Sequence, residues 1–265
     1  MPEITLKVNG LKIRGELHLP AEGSPPFPGV ILCHGLPTGA PPDPTDGGYP
    51  LLARQLAEQG MAALAFSFRG CYSSEGNFDI AGWSRDLEGA IDYLWSLEEL
   101  DDSRLALLGF SAGAAVSVYV GAADKRVSAV AACACPSDFS SIYQAEKPQQ
   151  TLDYFRKIGI LREPGFPPYP EEWLNGFRRI NALHSVGEIA PRPLLLLHGS
   201  ADNVVPPEHS RRLYARAGQP KNLVIMEGDG HRLRRSQPAL RVVFAWLRQR
   251  LLGEPPEAGY SLKFD

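Results

Sequence analysis

The sequence is short of several things, and each shortage excludes something. Among 265 residues there are only four cysteines, Cys33, Cys71, Cys133 and Cys135, each in or beside an apolar run. That placement suits reduced, buried thiols rather than a disulfide framework. No second Cys/His pair stands at ligand spacing from Cys133 and Cys135, so no metal site is expected. No stretch approaches the roughly 18 uninterrupted apolar residues of a membrane span. The opening "MPEITLKVNG" also lacks the apolar core of a signal peptide, so the expectation is a soluble, cytoplasmic protein. The formal net charge is only −3, with the signs interspersed. Such a surface offers no field for nucleic acid or for an anionic membrane, which leaves small molecules as the expected partners. Internal repeats and low-complexity segments are lacking too.

What is present is a core-forming chain, 44% hydrophobic by composition, read as one domain over residues 1–265. Residues 4–19, "ITLKVNGLKIRGELHL", alternate apolar and polar around Asn9-Gly10, the pattern of a β-hairpin. Six short apolar runs follow: "GVILCHG", "MAALAFSF", "RLALLGF", "VSAVAACA", "PLLLLHG" and "NLVIMEG". Continuous rather than alternating, they read as parallel strands covered on both faces. Amphipathic segments separate them: residues 50–59, a stretch from Trp83, one from Ala112, one from Pro207 and one from Pro238. The alternation predicts an α/β fold, a doubly wound, mostly parallel sheet behind an antiparallel hairpin. Residues 136–189 break the rhythm with two helical patterns, "QQTLDYFRKIG" and "PEEWLNGFRRIN", and no strand. They read as a small helical insertion, a lid over the carboxyl ends of the strands. The tail "GEPPEAGYSLKFD" reads as a peripheral extension.

The chemistry concentrates at "LLGFSAGAAV". A strand that turns through Gly109-Phe110-Ser111-Ala112-Gly113 straight into a helix can expose a serine hydroxyl at the helix N-terminus, where free N–H groups gather. The N–H of Ala112 is then an oxyanion donor. A serine hydroxyl needs a base and an acid behind it. His231, in the loop after "LVIMEGDG", is the favoured base over His184, His198 and His209. Asp202, just past "LLLLHGSA", is the favoured acid, with Asp138 and Asp229 as rivals. Arg232, Arg234 and Arg235 follow His231 and read either as a solvated helix start or as a receptor for an anionic substrate group. Eight of the chain's 24 aromatic residues fall in the insertion: Phe139, Tyr143, Tyr154, Phe155, Phe166, Tyr169, Trp173 and Phe177. Of these, Tyr154, Phe155, Tyr169 and Trp173 are the expected lining of an apolar substrate pocket.

Several motifs in order, His34-Gly35 after the first central strand, "GFSAG", "GSADNVVP" and "GDGH", resemble the α/β-hydrolase family from Pro28 to Leu252. The resemblance implies that Ser111 is the nucleophile, Asp202 the acid and His231 the base. It also implies that the N–H groups of Leu36 and Ala112 form the oxyanion hole, and that no cofactor is required. The segment "FSFRGCYSSEG" resembles a loop of the esterase and acylaminoacyl-peptidase-like members, with Ser67 in place of an Asp and Tyr72 in place of a Gly. The insertion is reminiscent of feruloyl and cinnamoyl esterases. The expected activity is that of a serine esterase acting on a small-molecule ester, with bulky or aromatic acyl groups among the substrates to expect. Peptidase and acyl-CoA thioesterase remain alternatives within the same chemistry, and a non-catalytic binding protein of the same fold outside it.

Overall fold

The computed structural model describes residues 3–39, 46–140 and 148–255. The chain opens with β1 (Glu3–Val8) and β2 (Leu11–His18), paired antiparallel with Val8 opposite Leu11. Asn9 and Gly10 turn the hairpin with φ of 51° and 82°; two positive φ angles in succession define the tight turn that Asn-Gly favours. Six further strands follow, β3 (Phe27–Cys33), β4 (Ala62–Phe66), β5 (Leu100–Phe110), β6 (Val127–Cys133), β7 (Leu194–Gly199) and β8 (Lys221–Met226). They form one sheet in the order β1-β2-β4-β3-β5-β6-β7-β8. The pairs β1/β2 and β2/β4 are antiparallel, and every pair from β4/β3 to β7/β8 is parallel.

Because side chains alternate across a strand, each parallel strand feeds two cores. Ile31, Leu105 and Leu107 join a core with α2 (Ile80–Trp95), α3 (Ala112–Ala123) and α7 (Glu208–Arg216). Val30, Leu32, Ala106 and Leu108 join the opposite core, with α1 (Gly48–Ala57) and α8 (Gln237–Leu251). Between β6 and β7 lie α4 (Pro148–Lys157), α5 (Pro170–Arg179), α6 (Ala182–Ser185) and a 3-10 turn, Val186–Ile189. This segment adds Leu152, Phe155, Ile160, Trp173 and Phe177 to the first core. It is bonded to the loop before α2: Phe78 N–H donates to the Ile160 carbonyl (2.8 Å), and Asn77 Oδ1 accepts from the N–H groups of Arg162 (2.7 Å) and Glu163 (2.9 Å). No helix among the described residues is long and apolar enough to cross a membrane.

Two buried polar groups pin the loops at the carboxyl ends of the strands. Arg69 donates from Nε, Nη2 and its backbone N–H to Asp86 on α2, and from Nη2 to Asn9 Oδ1 in the hairpin turn. Both members of the pair are buried. Burial raises the Asp86 carboxyl, and the Arg69 hydrogen bonds oppose that rise. His34 is the second group. Its Nε2 accepts from Phe68 N–H (3.0 Å), so Nδ1 carries the proton and donates to the Gly35 carbonyl (2.7 Å). The ring is packed edge-on against Phe68, Tyr72 and Trp83 at 5.1–5.2 Å. Burial lowers its pKa from 6.5 to about 4, against a smaller opposing effect of the Gly35 carbonyl.

Two predictions follow from these groups. Arg69→Leu strands a buried carboxylate and is expected to cost about 3–5 kcal/mol in chemical denaturation, part of which Arg69→Leu/Asp86→Leu recovers. A single variant as stable as the parent would show that the pair does not brace the loops. For His34 the folded state binds its proton only near pH 4, whereas the unfolded chain binds one near 6.5. The stabilising effect of the neutral ring is therefore complete above about pH 6.5 and is lost as pH falls towards 4, by about 3 kcal/mol in all. Denaturation series from pH 7 to 4.5 should show a fall in stability that is clearly shallower in His34→Gln; identical slopes would refute the assignment.

Candidate active site

Ser111 joins β5 to α3 with φ 53° and ψ −125°. This is a backbone region that L-residues other than glycine avoid, at a cost of roughly 1–3 kcal/mol unless the surroundings impose it. The surroundings here are tight. A Cβ on Gly109 would lie 2.5 Å from Ala114 Cα, and one on Gly113 would lie 2.3 Å from the His34 carbonyl oxygen. Side chains at either position would drive α3 away from β5 and β3, so the turn between them needs small residues. Ser111 N–H donates to the Cys133 carbonyl (2.9 Å), which ties the turn to the end of β6.

Three loops at the carboxyl edge of the sheet then meet. Ser111 Oγ lies 3.0 Å from His231 Nε2, and His231 Nδ1 lies 2.8 Å from Asp202 Oδ2. The carboxylate only accepts, so Nδ1 carries a proton and Nε2 is free to accept from the serine hydroxyl. The Asp202 side chain is fully buried, while that of His231 is one-fifth exposed. Burial pushes the Asp202 carboxyl up, but hydrogen bonds from His198, His231 and Val205 N–H outweigh it and hold the group well below the usual carboxylate range. An anionic carboxylate behind a neutral imidazole, with a hydroxyl in front, is the arrangement for base-assisted nucleophilic attack.

Of the rival residues, Asp138 is engaged elsewhere, with Ser137 Oγ (3.0 Å), Ser140 N–H and Oγ, and Arg212 Nη1 (3.1 Å). Asp229 accepts from Ser236 Oγ (2.6 Å) at the start of α8. His209 Nδ1 meets Ser137 (2.8 Å), and His184 is exposed on α6. Arg234 and Arg235 both bond Asp46, and Arg234 also lies over the Tyr49 ring at 5.1 Å. The paired arginines thus join the His231 loop to the start of α1, and their bonds hold the Asp46 carboxyl well below its ordinary pKa. Arg232 is exposed.

Of the two donors that the resemblance implies, Ala112 adjoins Ser111 in the chain and Leu36 follows Gly35, which packs on the serine. Ala112 is the first residue of α3, so its N–H has no intrahelical acceptor. Gly35 lies against the serine: a Cβ there would sit 2.9 Å from Ser111 Cβ. Because the peptide is planar and trans, the His34 bond that fixes the Gly35 carbonyl also fixes the opposite direction of Leu36 N–H. That role of His34 was carried in the sequence by nothing beyond its place before Gly35.

The four insertion aromatics divide. Phe155 and Trp173 are buried in a cluster with Phe78 and Phe177, their rings 4.9 and 5.9 Å from Phe78, and Trp173 Nε1 donates to the Phe78 carbonyl (2.8 Å). Packing occupies both, which corrects the expectation that they line an open pocket. Tyr154 and Tyr169 are 50% and 70% exposed. Tyr72 is a further exposed aromatic, at 62%, with φ 47° and its ring edge-on to His34. Arg162, from the insertion, donates to the Tyr72 carbonyl (2.9 Å) and to the Ser74 carbonyl (2.7 Å). Tyr143 and the tail beyond residue 255 lie outside the described residues.

The sequence pattern of the Alpha/beta hydrolase family matches residues 30–245. Among curated proteins, the uncharacterised protein YfhR of Salmonella typhi is 30% identical over 191 residues, covering 69% of this chain and 59% of YfhR. The chain thus spans less than two thirds of that relative's length. Among solved structures, the alpha/beta hydrolase GrgF from Penicillium sp. sh18 matches with a TM-score of 0.73 at 20% identity, over 95% of this chain and 99% of GrgF. Est1E from Butyrivibrio proteoclasticus with ferulic acid bound matches with a TM-score of 0.69 at 19% identity, over 94% and 98%. The structural likenesses bear on the fold and the sequence match on descent: this chain belongs to the alpha/beta hydrolase family.

Proposed function

We propose that the chain hydrolyses carboxylic esters of small molecules through an acyl-enzyme on Ser111. The observation that carries this reading is the continuous chain from Ser111 Oγ to His231 (3.0 Å) to the buried Asp202 (2.8 Å). His231 Nε2 takes the hydroxyl proton as Ser111 Oγ attacks the acyl carbon, and Asp202 stabilises the imidazolium that results. Charge then develops on the former carbonyl oxygen, where the N–H groups of Leu36 and Ala112 receive it. As the tetrahedral species collapses, His231 returns the proton to the departing alkoxide. Deacylation runs the route in reverse: His231 takes a proton from water as the water oxygen bonds the acyl carbon, the acyl–Oγ bond then breaks with the proton returned to Ser111 Oγ, and the carboxylic acid leaves. None of these steps calls on a metal or an organic cofactor.

Residues 136–189 are proposed as a lid that shapes the acyl side. Its buried aromatics hold it together, while Arg162 holds the backbone of Tyr72 beside the loop that carries Leu36. Tyr72, Tyr154 and Tyr169 are therefore the side chains offered to a bulky acyl group. The ferulic acid bound by Est1E makes hydroxycinnamoyl esters a sensible first series.

Ser111→Ala and His231→Ala are each expected to lower kcat by roughly 10⁴- to 10⁶-fold with the fold retained, because the residues act as a unit. Asp202→Asn should cost about 10⁴-fold and Asp138→Asn little. Near-normal ester turnover by Ser111→Ala would end the reading, and the reverse ranking of the two aspartates would move the acid. The acyl side is tested by kcat/KM on acetyl and cinnamoyl esters of one alcohol. At least one of Tyr72→Ala, Tyr154→Ala and Tyr169→Ala should lose about 10-fold or more on the cinnamoyl ester alone, the scale of one apolar contact in discrimination. Phe155→Ala and Trp173→Ala should instead lower stability by about 3–5 kcal/mol. Equal effects of Tyr154→Ala and Tyr169→Ala on both esters would remove the lid from specificity, whatever Tyr72→Ala does.

A further inference from the structure

His198, the penultimate residue of β7, is a fully buried histidine that the proposed reaction does not use. Its Nε2 lies 2.8 Å from the Val205 carbonyl and 3.2 Å from Asp202 Oδ2. A carbonyl only accepts, so Nε2 carries the proton. Nδ1 is then the acceptor for the Ser210 hydroxyl on α7, 2.6 Å away. The N–H that bonds the Val205 carbonyl thus also stands against the same carboxylate oxygen that receives His231 Nδ1. The other oxygen, Oδ1, accepts from Val204 N–H and Val205 N–H, both at 2.9 Å.

We propose that His198 is a positioning residue for Asp202: its Nε2–H fixes the carboxylate in the orientation that aims Oδ2 at His231. The inference rests on the reading of Ser111, His231 and Asp202 given above. Asp202 stands in a loop, where its own backbone does not determine the side-chain torsions. His198 stands in a strand, its backbone registered with Ile225 of β8, and its ring is held from the other side by Ser210. A merely satisfied core histidine needs the Val205 carbonyl alone. Here the ring holds both ends of the Asp202–Val205 turn, the carboxylate and the carbonyl. Donors run one way throughout, from Ser210 to His198 to Asp202, and from Ser111 to His231 to Asp202. The carboxylate is where the two chains converge.

The test compares two amides of similar polarity. In His198→Gln the side-chain N–H reaches the place of Nε2 and keeps the bond to Asp202. In His198→Asn the amide stops near the place of Nδ1, keeps its reach to Ser210 and leaves Asp202 without the donor. On a ferulate or acetate ester, His198→Asn should lose about 10- to 100-fold in kcat with KM within about twofold, the scale of one hydrogen bond to a charged group. His198→Gln should recover kcat to within about fivefold of the parent. Proton NMR of the substrate-free protein gives a second readout: the far-downfield Nδ1–H signal of His231 should persist in the parent and in His198→Gln, and shift or broaden away in His198→Asn. Folded Asn and Gln variants with equal kcat and equal His231 signals would overturn the proposal, as would an Asn variant with parental values. Should either variant fail to fold, Ser210→Ala replaces it: loss of the hydroxyl should shift the His231 signal, and an unmoved signal would overturn the proposal. A parent protein inert towards every ester would sink the ester reading, while the NMR comparison would still decide the role of His198.

Discussion

The structure depends on how closely α3 approaches the ends of β3 and β5. Gly109 and Gly113 allow the helix to start where a single methyl group would collide with backbone, and Ser111 takes the strained conformation that the approach demands. Everything at the site is referred to that contact. The helix start delivers Ala112 N–H, the adjacent end of β3 delivers Gly35 and Leu36, and Ser111 N–H reaches across to the end of β6. Strain of this kind persists only where packing over-determines it, and here it is surrounded by two cores in which most side chains are wholly buried.

Around this contact the buried polar groups are satisfied in a consistent direction. The bonds of His34 settle its tautomer and with it the facing of the Leu36 peptide. Those of His198 and His231 settle theirs and with them the state of Asp202. Arg69 and Asp86 join the hairpin turn to α2 and to the loop beside the site. In each case the polar atoms would be costly to bury alone and are cheap together, so the loops have few alternative arrangements.

Much of this was legible in the chain. Asn9-Gly10 announced the hairpin, the six apolar runs became the six strands, and Ser111, Asp202 and His231 come together where their order along the chain suggested. Boundaries were less legible: α2 starts at Ile80 rather than near Trp83, because Asp79 caps it by accepting from Ala81 N–H. Composition could not separate Phe155 and Trp173, which are buried, from Tyr154 and Tyr169, which are exposed, since a packed and an exposed aromatic look alike until the chain has folded. His198 carried no signal beyond its place at the end of an apolar run, because its partners, Val205 and Ser210, are adjacent to it only once the loop has folded back. The arginines after His231 illustrate the same limit, as their partner Asp46 lies far away in the chain.

The division of the strands' side chains between two cores separates the molecule mechanically. Among the described residues, the insertion lodges its apolar side chains in the core shared with α2 and α3, and contributes none to the one beneath α1 and α8. Sequence drift in the insertion is therefore felt by the helix that presents Ser111, whereas the α1/α8 side is shielded from it by the sheet. A lineage exploring new substrates through this segment would have to compensate on one face only, and the other face can stay as a fixed foundation while it does so.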